Sequence, residues 1–156
     1  MPRITPMLWF DDQAEQAARF YVSVFPNSRI THVAKRPANA PGETGDVMVV
    51  YFELDGQTVC ALNGGPMFKF SEATSFVVEC KDQTEIDYYW DALRADGGEE
   101  SMCGWLKDRF GFSWQVTPAT IPDLLSGDPV RAGKAMGAVM AMRKLDLAAI
   151  EAAANA

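Results

Sequence analysis

An α+β fold of two paired βαβββ modules, forming a curved sheet around a cavity and followed by a C-terminal helical tail, is what this sequence predicts. Three observations lead there. A strand-like run passes into a capped helix and then into three extended runs; the same order restarts 70 residues later; and beyond residue 118 the pattern turns helical. With 156 residues the chain has the size of one domain, read here as halves at residues 1–70 and 71–118 and a tail at 119–156.

Residues 4–10 alternate as a strand, and Asp11-Asp12 then offers an N-cap for a helix reaching Phe25. Ala14, Ala17, Ala18, Tyr21, Val22 and Phe25 fall on one apolar stripe of that helix. Pro26-Asn27 stops it, and extended runs follow at residues 29–35, 47–54 and 58–62. Asp55-Gly56 between the last two predicts a two-residue hairpin, because a type I′ turn needs positive φ at both central positions.

The second half opens with a strand at residues 75–80, after which Asp82 caps a helix over 84–95 that Gly97-Gly98 terminates. Extended runs near 99–103 and at 113–117 flank Trp105 and the turn Asp108-Arg109-Phe110-Gly111. Asp12-Gln13-Ala14-Glu15 matches Asp82-Gln83-Thr84-Glu85, and Phe20 matches Trp90, at a constant offset of 70. Such a tetrapeptide can arise from helix capping alone, but strand, cap, helix and Gly-turn hairpin recurring in order points to duplication. In the tail, residues 121–126 read as a short helix, Asp128-Pro129 opens a helix over 130–142, and Asp146 caps an Ala-rich last helix. Met136, Met140 and Met142 give the tail an adaptable apolar face, suited to packing on the sheet or on a second subunit.

Composition narrows the function classes. Hydrophobic residues at 48% and charged residues at 22% are those of a globular protein. A formal net charge of −7 repels phosphate backbones and anionic bilayers, so neither nucleic acid nor membrane is an expected partner. The basic residues cluster only at Lys35-Arg36, Lys107/Arg109 and Arg143-Lys144, too sparsely for a binding stripe. Cys60, Cys80 and Cys103 are odd in number and lack CxxC spacing, which predicts free thiols in a reducing compartment. With no apolar signal core near the start and no run of about 18 apolar residues, a cytoplasmic location is expected.

Certain residues carry a family resemblance. They are Leu62-Asn63-Gly64-Gly65-Pro66-Met67-Phe68-Lys69-Phe70, the helix start Asp82-Gln83-Thr84-Glu85-Ile86-Asp87 with Trp90, and the stretch from Cys103 through Asp108-Arg109-Phe110-Gly111 to Gln115. Together with the repeated module they resemble the PhnB-like branch of the vicinal oxygen chelate superfamily, which includes glyoxalases, dioxygenases and bleomycin-resistance proteins. The resemblance covers almost the whole chain, tail included. It implies a U-shaped cavity within a homodimer and, in the catalytic relatives, a divalent metal held from the first and last strands of each half. It also carries the label demethylubiquinone methyltransferase.

Strand alternation assigns faces, since successive side chains point to opposite sides and the apolar set meets the helices. Thr5, Met7 and Trp9, then Thr58, Cys60 and Leu62, are expected to face the cavity in the first half. In the second half Ser75, Val77, Glu79, Ser113, Gln115 and Thr117 join them, with Trp105 nearby. The resemblance places the metal positions on or beside Thr5, Cys60, Ser75 and Gln115. These offer one possible thiolate, one amide and two hydroxyls, whereas a catalytic divalent site needs about three imidazole, thiolate or carboxylate ligands. No metal and no cofactor is therefore expected.

His32 sits on an outer strand, away from the ligand positions. Cys60 reads as a small apolar residue unless a cation activates it, and Glu79 as a solvated strand-end carboxylate unless burial raises its pKa. Trp9 and Trp105 are suited to stacking on a planar ligand or to packing. No Gly-rich turn follows the first strand, which runs into Asp11-Asp12-Gln13, so S-adenosylmethionine has no nucleotide-binding unit of the usual kind. The expected function is binding of a small organic metabolite in a metal-free cavity. A divergent glyoxalase-, dioxygenase- or lyase-type enzyme using Glu79, Gln115 or Cys60 is the second reading, and demethylubiquinone methylation the third.

Overall fold

The computed structural model describes all 156 residues. They form two compact units, Met1–Phe70 and Ser71–Ala156. The first contains β1 (Met7–Phe10), α1 (Ala14–Val24), β2 (Arg29–Lys35), β3 (Val47–Leu54) and β4 (Gln57–Asn63). The second contains β5 (Ser75–Cys80), α2 (Gln83–Arg94), β6 (Glu99–Glu100), β7 (Trp105–Lys107) and β8 (Ser113–Pro118), followed by α3 (Ile121–Ser126), α4 (Pro129–Met140) and α5 (Leu147–Asn155). No helix is long and apolar enough to cross a membrane.

Each unit carries one four-stranded mixed sheet, in the orders β1-β4-β3-β2 and β5-β8-β7-β6. The two orders are the same path, so the repeat seen in the residues is a repeat of topology. In both, the first strand pairs parallel with the last, and the remaining pairs are antiparallel.

Four local expectations need correction. β1 begins at Met7, leaving Ile4 exposed and Thr5 outside the strand. Pro6 explains the shift: it has no N–H to pair, and only its carbonyl joins the ladder, accepting from Cys60 N at 2.9 Å. Neither Asp11 nor Asp12 caps α1; Gln13 occupies the N-cap without a side-chain bond, and Asn63 Oδ1, from the end of β4, accepts from Ala14 N at 2.8 Å. The α1 stripe also differs at its end, where Val24 is buried while Val22 and Phe25 are only half-buried. Finally, the run near 99–103 is a strand only at Glu99–Glu100, and Trp105 begins a strand of its own. A tight turn separates them, with Cys103 at φ 63° and Gly104 at φ 82°.

The other signals behave as their chemistry dictates. Asp55 and Gly56 take φ 46° and 82° between the paired Leu54 and Gln57, the type I′ geometry. Asp82 accepts from Glu85 N at 2.9 Å while Glu85 Oε2 accepts from Lys81 N at 2.8 Å, so both ends of the α2 start are satisfied. Asp128 and Asp146 cap α4 and α5 through Arg131 N and Ala149 N.

The largest buried side chains of the sheets share one strand parity, although Val49, Cys60 and Ser113 of the other parity are buried as well. Leu8, Phe10, Val50, Phe52, Val59 and Ala61 meet the Ala14, Ala17, Ala18 and Tyr21 face of α1, the alanines letting helix and sheet approach closely. In the second unit, Leu106, Trp114 and Val116 meet Ile86, Trp90 and Leu93 of α2. Each large side chain so buried contributes about 1.5–3 kcal/mol through removal from water. The tail has its own core of Leu124, Ala135, Val139, Leu145, Ile150 and Ala154. It is fastened to α2 by Gln83, whose amide donates to Leu145 O (3.0 Å) and accepts from Leu147 N (2.9 Å), and by the Lys144–Asp87 ion pair.

Candidate functional site

With one face of each sheet packed on its helix, the other face carries the candidate residues. In the first unit Met7 stands opposite Cys60 and Trp9 opposite Leu62, with Tyr51 and Val49 as the next partners across the sheet and Thr58 paired with Glu53. Met7 is 53% exposed, whereas its neighbour Leu8 on the helix face is 5% exposed. Trp9 is held by its own chain: its indole N–H donates to Gly65 O at 2.9 Å, and its ring meets Phe68 edge-on at 5.0 Å. The segment after β4 thus folds back over this side of the sheet. Thr5 is half-buried just ahead of β1. His32 is exposed on the edge strand β2, beside the Tyr51 ring.

In the second unit the uncovered face is built in rows. Ser75, Ser113, Lys107 and Glu99 form one row across β5, β8, β7 and β6; Val77, Gln115 and Trp105 form the next; Glu79 and Thr117 end the series. Gln115 Nε2 donates to Ser75 Oγ at 3.0 Å, so two of the residues singled out from the sequence are joined directly. Val77 is 52% exposed and Glu79 is also exposed. Glu79 therefore stands in solvent near the end of β5.

Behind this face lies a rigid hairpin. Asp108, 3% exposed, accepts from Phe110 N (2.9 Å) and Phe112 N (3.1 Å) on one oxygen and from Trp114 Nε1 (2.8 Å) on the other. The rings of Phe76, Phe112 and Trp114 pack mutually edge-to-face at 4.8–5.5 Å. Together they fix the β7–β8 turn and hence the positions of Lys107, Ser113 and Gln115.

Cys60 and Cys80 are not poised for nucleophilic work. Burial pushes the Cys60 thiol up, and the Cys80 thiol is pushed up to about 12 by burial and by the nearby Glu85 and Asp82 carboxylates. At the positions that the family resemblance assigns to a metal, Cys60 is thus a protonated thiol, and the Gln115 amide spends a donor on Ser75. No three His, Cys, Asp or Glu side chains gather where they could share a metal ion. The donor set does not fit a divalent metal of the glyoxalase kind.

Sequence reasoning missed Glu72, Glu99 and Lys107. Glu72 precedes β5 and pairs with Lys107, which lies opposite Glu99. The alternation of β7 would have found Lys107 had residues 105–107 been read as a strand; Glu72 sits in a turn with no periodicity to place it.

Comparison with known proteins agrees with this architecture. The profile of the 3-demethylubiquinone-9 3-methyltransferase family matches residues 2–117, leaving the helical tail outside the match. The PhnB protein from Bacillus cereus is 35% identical, superposes with a TM-score of 0.68, and is covered completely by 76% of this chain. Protein PA1353 from Pseudomonas aeruginosa, 18% identical, shares the fold with a TM-score of 0.61 over 76% of this chain and 98% of its own. The fosfomycin resistance protein FosX from Listeria monocytogenes, solved with Mn(II) and sulfate, is 13% identical with a TM-score of 0.56 over 80% of this chain and 94% of its own. No curated protein matches the chain. By its profile match and by its likeness to PhnB, this chain belongs to the 3-demethylubiquinone-9 3-methyltransferase family and is PhnB-like, with a fold that FosX shares.

Proposed function

We propose that this protein binds a small organic metabolite on the sheet faces that point away from α1 and α2, without a metal and without a cofactor. One observation carries the reading. The face of the first unit carries Met7 and Trp9, and the face of the second carries exposed Val77, the Trp105 indole and a sparse set of oriented polar groups led by Gln115 and Ser75, the kind of lining expected of a small-molecule site. The ligand positions of the metal-dependent relatives hold hydroxyls, an amide and a protonated thiol instead of imidazoles and carboxylates.

Methyl transfer is not part of this proposal. S-adenosylmethionine is usually held by a Gly-rich turn between a first strand and helix of a doubly wound sheet. Here Asp11-Asp12-Gln13 stands in that turn and the sheets are βαβββ modules, so the residues do not fit that cofactor.

Screening a metabolite library against isotope-labelled protein tests the binding reading. Saturable amide shifts on β5, β7 and β8, weakened at least about tenfold by Trp105→Ala, are the expected result, since losing an aromatic contact surface removes one or more kcal/mol. Silence across the library would refute it.

The same proposal makes the protein a cytoplasmic homodimer. All three cysteines are free, in keeping with a reducing compartment, and Val130, Met136 and Met140 of α4 leave apolar surface exposed. Sedimentation at micromolar concentration should give twice the 17.1 kDa chain mass, and a monomer would refute the dimer.

A further inference from the structure

A recess of about 150 Å³ opens on the uncovered side of the second sheet, with Glu72, Glu99, Ser101, Trp105, Lys107 and Ser113 among its walls. Its charges do not balance. Lys107 Nζ is in contact with the Glu72 carboxylate and lies opposite Glu99 across the β6–β7 pair, so one ammonium serves two carboxylates. The proximity holds Glu72 below its ordinary pKa and lifts Lys107 above its own, which keeps that pair charged near neutrality. Glu100, also at the rim, is engaged elsewhere by Trp90 Nε1 at 3.2 Å and Arg94 Nε at 3.4 Å. One negative charge is left over, that of Glu99.

A second observation points to a missing partner. Ser113 is 1% exposed, yet its hydroxyl makes no hydrogen bond. The adjacent Ser75 hydroxyl is taken by Gln115. A buried hydroxyl without a partner costs about 1–3 kcal/mol, a cost that a ligand donating to it removes. Beside it stands Trp105, whose indole face attracts cations more strongly than any other side-chain ring.

We propose that this recess binds a small organic cation, a primary ammonium or guanidinium group whose N–H donors meet the Glu99 carboxylate and the Ser113 hydroxyl beside the Trp105 indole. The inference rests on the small-molecule reading above and names the chemical class of the ligand. An organic cation suits the recess better than a bare metal ion, which would need a third anionic or imidazole ligand that is not gathered here.

The test uses benzylammonium chloride, its neutral shape-mate benzyl alcohol and the anion benzoate, each titrated into the intact protein and followed by amide shifts. Benzylammonium should saturate shifts centred on β6, β7 and Ser113, with alcohol and benzoate at least about tenfold weaker, the value of one charge-assisted hydrogen bond. Glu99→Gln, on an exposed edge strand, should weaken benzylammonium by about tenfold for the same reason. Ser113→Ala should also weaken it while leaving the melting temperature of the free protein unchanged or raised, a combination that a merely structural serine would not produce.

Equal binding of the alcohol or benzoate, or unchanged affinity in Glu99→Gln, overturns the cation assignment and leaves the broader binding reading standing. So does silence from all three probes when library compounds still shift Val77 and Gln115. Silence from probes and library together overturns both.

Discussion

Replacing Asp108 with alanine should destabilise the protein by about 3–5 kcal/mol, the usual cost of removing one side of a buried, charge-assisted network. Three N–H donors lose their acceptor at once: Phe110 N, Phe112 N and the Trp114 indole, the last two in buried surroundings. Water cannot replace a carboxylate on a residue that is 3% exposed without opening the turn. Asp108→Asn is the informative companion. Its remaining oxygen can still serve Phe110 and Phe112, while its NH₂ group faces the Trp114 donor, so a loss of about 1–3 kcal/mol is expected. Urea denaturation followed by tryptophan emission measures both. Wild-type stability in Asp108→Ala would show that the hairpin is held by its aromatic cluster alone.

Gly104→Ala should cost about 2–4 kcal/mol, through backbone strain and overpacking together. Gly104 lies at φ 82°, and an added Cβ would stand 2.9 Å from Val116 O and 3.0 Å from the Leu145 side chain. Leu145 can yield, but the Val116 carbonyl is fixed within β8. The same residue ties strand to tail, its N–H donating to Arg143 O and its carbonyl accepting from Val116 N, both at 2.8 Å. The substitution should therefore loosen the tail as well, read as faster amide exchange in α5 than in α1. Equal protection in both helices would mean that the tail docks independently of this turn.

What could be read from the chain divides along physical lines. Local chemistry was legible. Asp82, Asp128 and Asp146 cap the helices that follow them because the acceptor and donors lie within three residues, and Asp55-Gly56 forms its hairpin because two adjacent residues tolerate positive φ. Strand parity was legible because its period is two, which is why the faces of Trp9, Cys60, Ser75 and Gln115 could be assigned at all. Partners distant in sequence were not legible. Asn63 caps α1 across 49 residues, and nothing in Asp11-Asp12 signals that its offer goes unused. The three-residue strand β7 is too short for any periodicity, so Lys107 was counted only as a scattered charge until its register against Glu99 and Ser113 placed it. The orphaned Ser113 hydroxyl is a statement about what surrounds a residue, and only coordinates carry that.

Membership of the family fixes the fold and leaves the chemistry open, because a shared scaffold accommodates unrelated sites. The central proposal is that the scaffold works here without a metal ion such as the Mn(II) bound in the FosX structure. Metal analysis of tag-free protein, as isolated and again after incubation with zinc, nickel, manganese and iron(II) followed by dialysis, tests it most directly. The account predicts far less than one metal ion per chain under every condition. Near-stoichiometric metal that survives dialysis would contradict it.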